Sequence, residues 1–594
     1  MSKIYNNVKL VPDPTEDDHI AKLKSVNDCI DKVSIEGRFL TTDGFGGLRY
    51  YNGHFQYYDK DTDTWIDTSV SPDNVYVFKM IPQSMKRIIG TYDIDSGYNK
   101  LKWEEPDDTI LEEQAFSIIE KVIIRRKLGS VPTDETDGDL VIEIERKDFG
   151  KYKDKWFTDT GVTPNNGDVY YYKAFPLNTT GFYNTSVENE TSILCKDYEL
   201  YGFKLDQNES DPSKMITYLD DCDNANYSSA YMNYTKDTFD YGDWDNAWFI
   251  KKLKPCMLKY DGTVDYELDK DDYTKKADGT ASNIADTTYE GNAMVGFPKV
   301  YWKIVDNGDD TANVYIASKQ VDSDFHCWSH IDNNGNEIDY CYMPIYNGSY
   351  VDGRLRSLSG RTPCYGLTVE GEIAYAKANN TSTDEIWYTE LFNDRTLVSL
   401  LLLLIGKSTD TSTIFGNGHT TGDNLIVSGT LDNKGMFYGA SNTTVTVKVF
   451  GMEHWWGNQV RRIGGWINYY GTQKIKLTYG QSDGSTVDGY NIDGSGYIEL
   501  SNFTPSGTSG GCINKMLFNK NCLIPIMTSG SSTTYYCDAM YFDNSKFGYA
   551  LVGGDSETLI STIIGAFFTS LILNGSYTGW YIGASISCKP LATT

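Results

Sequence analysis

The feature that most constrains this chain is a series of turn signals between short runs of alternating apolar and polar residues. Residues 37–68, "GRFLTTDGFGGLRYYNGHFQYYDKDTDTWIDT", are broken by Asp-Gly, Gly-Gly and Asn-Gly pairs. Such pairs favour tight hairpin turns, and alternation is typical of strands that bury one face. The stretch therefore predicts a small β-meander over residues 37–80. Two or three such strands are marginally stable alone, so we expect support from a neighbouring domain or subunit.

The same pattern continues at longer spacing from about residue 85 to residue 190. The strand candidates are "RIIGTYDI", "NKLKWEEP", "KVIIRRK", "DLVIEIER", "KWFTDTGV" and "VYYYKAFPL". Turn signals separate them at the spacing expected of a β-sandwich. We predict a sandwich domain over residues 81–190.

The whole chain has 594 residues, which is too long for one hydrophobic core and predicts three to five domains. Residues 1–36 have mixed charge and predict a short helix that docks onto a partner. Residues 191–290 are rich in Asp, Tyr and Asn and predict a β-rich segment with a hairpin at "YDGT". We predict a distal, C-terminal domain over residues 291–594. Within it, "LVSLLLLLI" (397–405) predicts one buried helix that is too short to span a bilayer.

Charge and cysteine usage exclude several functions. The formal net charge of −29 would repel a phosphate backbone, so nucleic acid is not expected as a partner. The 11 cysteines are spread singly without a CxxC pair, which predicts free thiols and no zinc site. No complete calcium-binding loop is present, and no metal or cofactor is expected. The start of the sequence shows no apolar signal-peptide core.

The stretch "EHWWGN" within residues 447–466 raises the question of catalysis. On a strand, Glu453 and His454 would point to opposite faces and could not share a pocket, and no nucleophile motif lies nearby. We therefore predict a structural role, in which Trp455 and Trp456 are buried while the following Gly-Asn pair turns the chain and Asn458 bridges backbone groups. The alternatives are catalysis and the stacking of one tryptophan on a sugar.

Residues 81–190 resemble the fibronectin type III modules of bacteriophage tail proteins. Trp103 in "LKWEEP" matches the core tryptophan of that family, and either Tyr171 or Tyr172 matches the core tyrosine. "VIIRRKLGSVPTDETDGDLV" matches later strands. Such modules are spacers or adhesion units, so the resemblance implies no chemistry.

Five pieces of the distal half, taken in order, resemble a C-type-lectin-like fold. They are "FPKVYWKI", "LRSLSGRTPCYGLTVEGEIAYAKA", "EIWYTELFNDRTLVSLLLLLIGKS", "FGMEHWWGNQVRRIGGW" and "GWYIGASISCKPL". The branch of that fold is the one found in phage receptor-binding proteins, formylglycine-generating enzymes and the variable proteins of diversity-generating retroelements. The resemblance implies an early strand, a first helix, a second buried helix and a closing strand. The cysteines do not match the copper site of the enzymes.

The same resemblance implies that receptor contacts lie near the closing strand. In the diversified proteins, adenine-directed mutation enriches Tyr, Asn, Ser and Asp, residues that combine rigid contact area with adaptable hydrogen bonding. Ordinary exposed loops remain an alternative at each position. The residues of that type are Tyr535, Tyr536, Tyr541, Asp543, Asn544, Ser545, Asp555, Asn574, Ser576 and Tyr577.

Together these observations predict a mainly β, multidomain protein: a small β-meander, a fibronectin III-like β-sandwich and a C-terminal α+β lectin-like domain. The expected function is host adhesion by a non-enzymatic receptor-binding protein of a phage tail fibre or baseplate, assembled in the host cytoplasm. Its expected partners are a bacterial surface glycan or protein, other tail proteins at the N-terminus, and copies of itself in a homotrimer. The alternatives are a tail-borne depolymerase or hydrolase and a purely structural virion protein.

Overall fold

The computed structural model describes residues 45–51, 54–59, 64–70, 82–107, 118–179, 181–483, 485–486, 489–500, 503–557 and 562–592. The chain divides into two compact units, Met1–Asp197 and Tyr198–Thr594. Strands dominate both units, which confirms the prediction of a mainly β, multidomain protein. The predicted helix of residues 1–36 lies outside the described residues.

The first sheet of the N-terminal unit is the predicted meander. Its three strands are antiparallel and pair in chain order. They are β1 (Phe45–Tyr51), β2 (His54–Asp59) and β3 (Thr64–Val70). Each connection is short, as the turn pairs in the sequence predict.

Two further sheets of this unit face a common core. One has three strands: β4 (Arg87–Asp93), β5 (Tyr98–Glu104) and β8 (Phe157–Asp159). The other has the order β10-β9-β6-β7, with β6 (Ile119–Leu128), β7 (Asp139–Glu145), β9 (Val169–Asn178) and β10 (Glu190–Leu194). The six strand candidates of residues 85–190 are therefore confirmed, and β10 continues past the predicted boundary.

Trp103 and Tyr172 lie in the core between these two sheets, and both are buried. The Tyr172 hydroxyl donates to Asp159 Oδ2 at 2.9 Å, which gives the buried phenol a partner. Arg126 Nη1 donates to the same carboxylate oxygen at 2.6 Å. Of the two candidates for the core tyrosine, the structure selects Tyr172, because Tyr171 keeps partial exposure.

The C-terminal unit contains a four-stranded sheet and a six-stranded sheet. One has the order β12-β11-β19-β18, with β11 (Leu200–Asp206), β12 (Ile216–Tyr218), β18 (Tyr301–Asp306) and β19 (Thr311–Ala317). The other has the order β16-β15-β17-β20-β36-β23, with β15 (Lys254–Lys259), β16 (Val264–Glu267), β17 (Gly291–Pro298), β20 (Tyr340–Pro344), β23 (Trp387–Thr389) and β36 (Ile586–Cys588). The hairpin predicted at "YDGT" joins β15 to β16. The predicted division at residue 290 falls inside this second sheet.

A ten-stranded sheet forms the largest layer of this unit. Its path is β28-β27-β26-β33-β34-β32-β30-β31-β29, and β35 pairs with β26. The strands are β26 (Val460–Tyr469), β27 (Thr472–Ile475), β28 (Ile498–Leu500), β29 (Ser506–Gly507), β30 (Gly511–Asn519), β31 (Cys522–Gly530), β32 (Ala539–Tyr541), β33 (Phe547–Val552), β34 (Thr569–Ser570) and β35 (Ile582–Gly583).

The described part of the C-terminal unit also contains three two-stranded ribbons. They are β13 (Tyr231–Asn233) with β14 (Thr238–Asp240), β21 (Ser349–Val351) with β22 (Arg354–Arg356), and β24 (Lys448–Val449) with β25 (Met452–Glu453).

In the residues that the structure describes, helices are few and short apart from one. They are α1 (Trp248–Lys251), α2 (Val369–Lys377), α3 (Phe392–Gly406) and α4 (Thr411–Phe415). Helix α3 contains the leucine run, is almost wholly buried, and ends where Lys407 adopts a left-handed conformation. The predicted buried helix is thus confirmed. In the described part of the chain, no helix combines the length and apolarity needed to cross a membrane.

Candidate functional site

The stretch that raised the question of catalysis is part of the interior. Trp455 and Trp456 are fully buried. The guanidinium groups of Arg395 and Arg461 lie 3.8 and 5.2 Å from the centre of the Trp455 ring, and Trp456 Nε1 donates to the Gly416 carbonyl at 3.0 Å. The structural prediction for the tryptophans is confirmed. Because neither ring is accessible, the alternative of sugar stacking at this position is wrong.

Gly457 and Asn458 turn the chain as the sequence predicts. Both have positive φ, at 76° and 66° respectively. The side chain of Asn458 bridges the backbone of Ile426, since its Oδ1 accepts from the amide at 2.9 Å and its Nδ2 donates to the carbonyl at 3.2 Å. Asparagine suits this position because it tolerates the left-handed region better than most residues.

Glu453 and His454 do not point to opposite faces, so that prediction is wrong. His454 has a φ of 54°, which ends the strand, and its Nε2 lies 3.9 Å from Glu453 Oε2. Both side chains are nevertheless sealed in the interior. The carboxylate accepts from the amides of Gly429 and Leu431 at 2.7 and 2.5 Å, and burial lowers the pKa of His454 to about 3. The pair is therefore enclosed by backbone rather than open to a substrate.

A second region brings three predicted binding residues to one end of the ten-stranded sheet, with three more in a turn of the segment that follows β34. Strand β33 begins at Phe547, which pairs with Tyr469 at the end of β26. On the other side of β33, the Tyr549 amide donates to the Leu573 carbonyl at 2.8 Å. The register thus places the 468–472 hairpin beside the 543–546 turn, and the 574–577 turn begins one residue after Leu573. We call residues 468–472, 543–546 and 574–577 the turn cluster.

The 543–546 turn carries three of the predicted residues. Asp543 Oδ1 accepts from the amide of Ser545 at 3.0 Å and from its hydroxyl at 2.6 Å. The carboxylate also pairs with Lys546 at 2.8 Å, and Lys546 is the main cause that lowers the pKa of Asp543 to about 2. Asn544 Nδ2 donates to the Pro505 carbonyl at 2.8 Å. The turn is therefore internally ordered while Ser545 stays exposed.

The 574–577 turn carries three more. Asn574 Oδ1 accepts from the amides of Ser576 and Tyr577, both at 3.1 Å, and from the Ser576 hydroxyl at 2.8 Å. The Tyr577 hydroxyl lies 3.1 Å from the Tyr581 hydroxyl. All three predicted residues are exposed, and 43% of Tyr577 is accessible.

The third turn was missed by the sequence interpretation. In the hairpin between β26 and β27, 43% of Tyr469 and 59% of Tyr470 are exposed. Asn468 Nδ2 donates to the carbonyls of Asp543 and Lys546 at 3.1 and 3.2 Å, which fastens this hairpin to the 543–546 turn. The signal was present as "NYYGT", a strand end followed by glycine, but it lies far from the closing strand in sequence.

The remaining four predicted residues lie elsewhere. Tyr536 is fully buried and its hydroxyl donates to Gln207 Oε1 at 3.0 Å, and Asp555 is also buried. These two are corrections, because enclosed side chains cannot contact a cell. Tyr535 precedes β32, at the opposite end from Asp543, and is half-buried. Tyr541 is half-buried on β32, where its ring packs 5.9 Å from that of Phe568.

The described residues contain neither a metal-binding cluster nor a disulfide bond. No group of three or more His, Cys, Asp or Glu side chains there could hold a metal ion. The ten cysteines from Cys195 to Cys588 are free and buried, as the prediction of free thiols requires. What the turn cluster offers is hydrogen bonding and aromatic contact area.

No known protein-family model matches the chain, and no curated protein matches it either.

Proposed function

We propose that the chain is a host-adhesion protein of a bacteriophage tail that presents the turn cluster to a receptor on the bacterial surface. The observation that carries this proposal is that six predicted residues lie in two turns of the turn cluster, one of which is fastened to the hairpin that exposes Tyr469 and Tyr470. These six residues come from two segments about thirty residues apart, and the hairpin lies some seventy residues further toward the N-terminus.

The composition of the turn cluster supports recognition. Exposed tyrosines supply large contact area at a small entropic cost, because each has only two rotatable side-chain bonds. Asn, Ser and Asp beside them adapt their hydrogen bonds to either sugar hydroxyls or peptide groups. The receptor class that fits is therefore a surface glycan or a surface protein.

Side-chain hydrogen bonds order the turns of the turn cluster, which favours ligand binding. Side chains of Asn468, Asp543 and Asn574 satisfy backbone groups of the turns, so the loops are ordered before a ligand arrives. Pre-ordering removes part of the entropic cost of association.

The remaining parts of the chain have proposed roles in the same assembly. The resemblances assign the sandwich as a fibronectin-like spacer and the C-terminal unit as a lectin-like fold. The N-terminal segment and the meander would attach the protein to other tail proteins. Individually weak contacts would gain strength if three copies bind one surface together.

Competition with the virus tests the proposal. Purified full-length protein is added to the bacterial cells on which its virion grows, and the free virus is counted over time. We expect saturable binding of the protein and slower adsorption of the virus. A protein that does not bind these cells, or that binds without slowing adsorption, would refute the proposal.

The same mixture separates the alternatives. Soluble saccharides or peptides that accumulate in the medium with time would identify a depolymerase or hydrolase. Absence of both binding and release would favour a purely structural virion protein.

A further inference from the structure

A cavity of about 40 Å³ lies between helix α3 and the ten-stranded sheet of the C-terminal unit. Its walls are mainly apolar and include Phe392, Trp466, Met516 and Phe567. Since roughly 10–15 Å³ of such space admits one water molecule, the cavity has room for about three waters or for one small organic molecule.

Two polar side chains on the wall have unused hydrogen-bonding capacity. Arg395 and Thr396 both line the cavity, with 5% and 4% of their surfaces exposed. Arg395 Nε donates to Glu390 Oε1 at 2.5 Å and Nη1 donates to the Trp455 carbonyl at 2.8 Å, but Nη2 has no partner within the described residues. The same holds for Thr396 Oγ1. Buried donors without partners are costly, which indicates that something else accepts from them.

The charge around the cavity is unbalanced. Glu390 is shared by two guanidinium groups, because its Oε1 contacts Arg395 and its Oε2 lies 3.2 Å from Arg461 Nε. The other Arg461 nitrogens donate to neutral oxygens of Asn347 and Trp455, both at 2.9 Å. The described residues that line the cavity include no acid. One buried carboxylate thus faces two buried cations.

Burial lowers the pKa of Arg395 to about 9, so the group is still charged at neutral pH. A second anion near Nη2 would complete the pairing of both guanidinium groups. Gly553 lies against this nitrogen, where a Cβ would come within 3.3 Å of Nη2. A larger residue at this position would therefore crowd the guanidinium.

We propose that this cavity binds a short-chain carboxylate, of about the size of acetate or propionate. Its carboxylate would accept hydrogen bonds from Arg395 Nη2 and Thr396 Oγ1, and its alkyl end would pack against Phe392, Trp466 and Met516. The cavity volume excludes long acyl chains. Ser399 and Leu523 are the lining residues with partial exposure, so access is expected between them.

Calorimetric titration of the full-length protein with sodium propionate in a carboxylate-free buffer tests this proposal. We expect saturable binding at one site per chain. Propionamide and propylamine, which keep the three-carbon chain of propionate but lack its negative charge, should bind at least about tenfold more weakly, because each leaves the buried cation uncompensated. Equal binding of all three, or no saturable heat with propionate, would overturn the proposal and leave the cavity to ordered water.

Two variants locate the site. Thr396→Val removes the hydroxyl with little change in volume and should weaken propionate binding about fivefold, the usual effect of one hydrogen bond. Ala566→Val fills the cavity from the wall without touching the polar groups and should abolish binding. Thr444→Val, at an exposed threonine outside the cavity, is the matched control. Unchanged binding in the first two variants, with unfolding transitions like that of the parent, would contradict the assignment.

Discussion

Arg462 Nη1 donates to Glu372 Oε1 at 2.7 Å, and both side chains are 98% buried. The same guanidinium donates to the carbonyls of Leu367 and Tyr577. One side chain on strand β26 therefore holds helix α2, the loop before it and the 574–577 turn in a fixed arrangement.

Replacement of this arginine should damage the fold. Arg462→Met leaves Glu372 buried without its cation, and breaking one side of a buried ion pair costs about 3–5 kcal/mol. Urea denaturation followed by circular dichroism measures the loss. Lys214→Met removes an exposed lysine that pairs with Asp211 at 2.8 Å and should leave the transition unchanged. If both variants unfold alike, the buried pair does not contribute as stated.

The exposed tyrosines of the turn cluster should carry much of the binding. Tyr470→Ala and Tyr577→Ala each remove an aromatic ring from the proposed contact surface and should weaken binding to cells about tenfold, a typical loss for a tyrosine at the centre of an interface. Binding isotherms of labelled full-length protein measure the effect. Tyr231→Ala is the control, since this tyrosine is similarly exposed, at 41%, but lies on strand β13. Equal affinities for all three variants would remove the turn cluster from the contact surface.

Asp555 should make stability depend on pH. Burial raises its pKa from 3.8 to about 7. The native state therefore holds more protons than the unfolded state between these values, and the stability contribution is full below pH 4 and lost as the pH rises toward 7. Asp555→Asn avoids the buried charge, so at pH 8 this variant should exceed the parent in free energy of unfolding by about 4 kcal/mol.

Urea titrations at pH 5, 6, 7 and 8 test this expectation. Asp543→Asn is the matched control, because it removes the same charge from a residue whose pKa is lowered to about 2. Its titration falls below the measured range, so the slope of stability against pH should equal that of the parent. A parental slope in Asp555→Asn would show that the buried carboxyl is not its source.

Asn458 offers a test of the turn after the tryptophans. Asn458→Ala loses two buried hydrogen bonds and places a Cβ-bearing residue without a polar side chain at a φ of 66°. We expect a loss of about 3 kcal/mol in free energy of unfolding. Asn458→Gly loses the same hydrogen bonds but relieves the backbone, so it should be about 1 kcal/mol less destabilising. Thermal and urea unfolding compare the two, and the reverse order would refute the backbone part of the argument.

The parts of the fold that local chemistry determines were predictable. The leucine run, the Trp-Trp pair and the Gly-Asn turn each contain their own signal within a few residues. The six strand candidates of the sandwich likewise have their turns beside them in sequence. For these elements, burial and turn conformation follow from residue type and spacing.

Which of the candidate binding residues are buried and which are exposed could not be predicted in the same way. Tyr536 and Asp555 have the residue types of a binding loop, yet the packing of distant segments encloses both. Tyr536 meets Gln207, which is more than three hundred residues away in sequence. Conversely, Tyr469 and Tyr470 join the turn cluster only because β26 pairs with β33, and a single sequence does not reveal that pairing. The contact between His454 and Glu453 depended on one left-handed residue inside an apparent strand.

The hydrogen bonds of the turn cluster separate the residues that hold the loops from those that point outward. Asn468 and Arg462 fasten the turns through main-chain carbonyls, which every amino acid possesses. The side chains at positions 470, 545 and 577 can therefore change without removing these attachments. Under the proposed adhesion function, such tips could be exchanged one at a time while the scaffold beneath them is inherited intact.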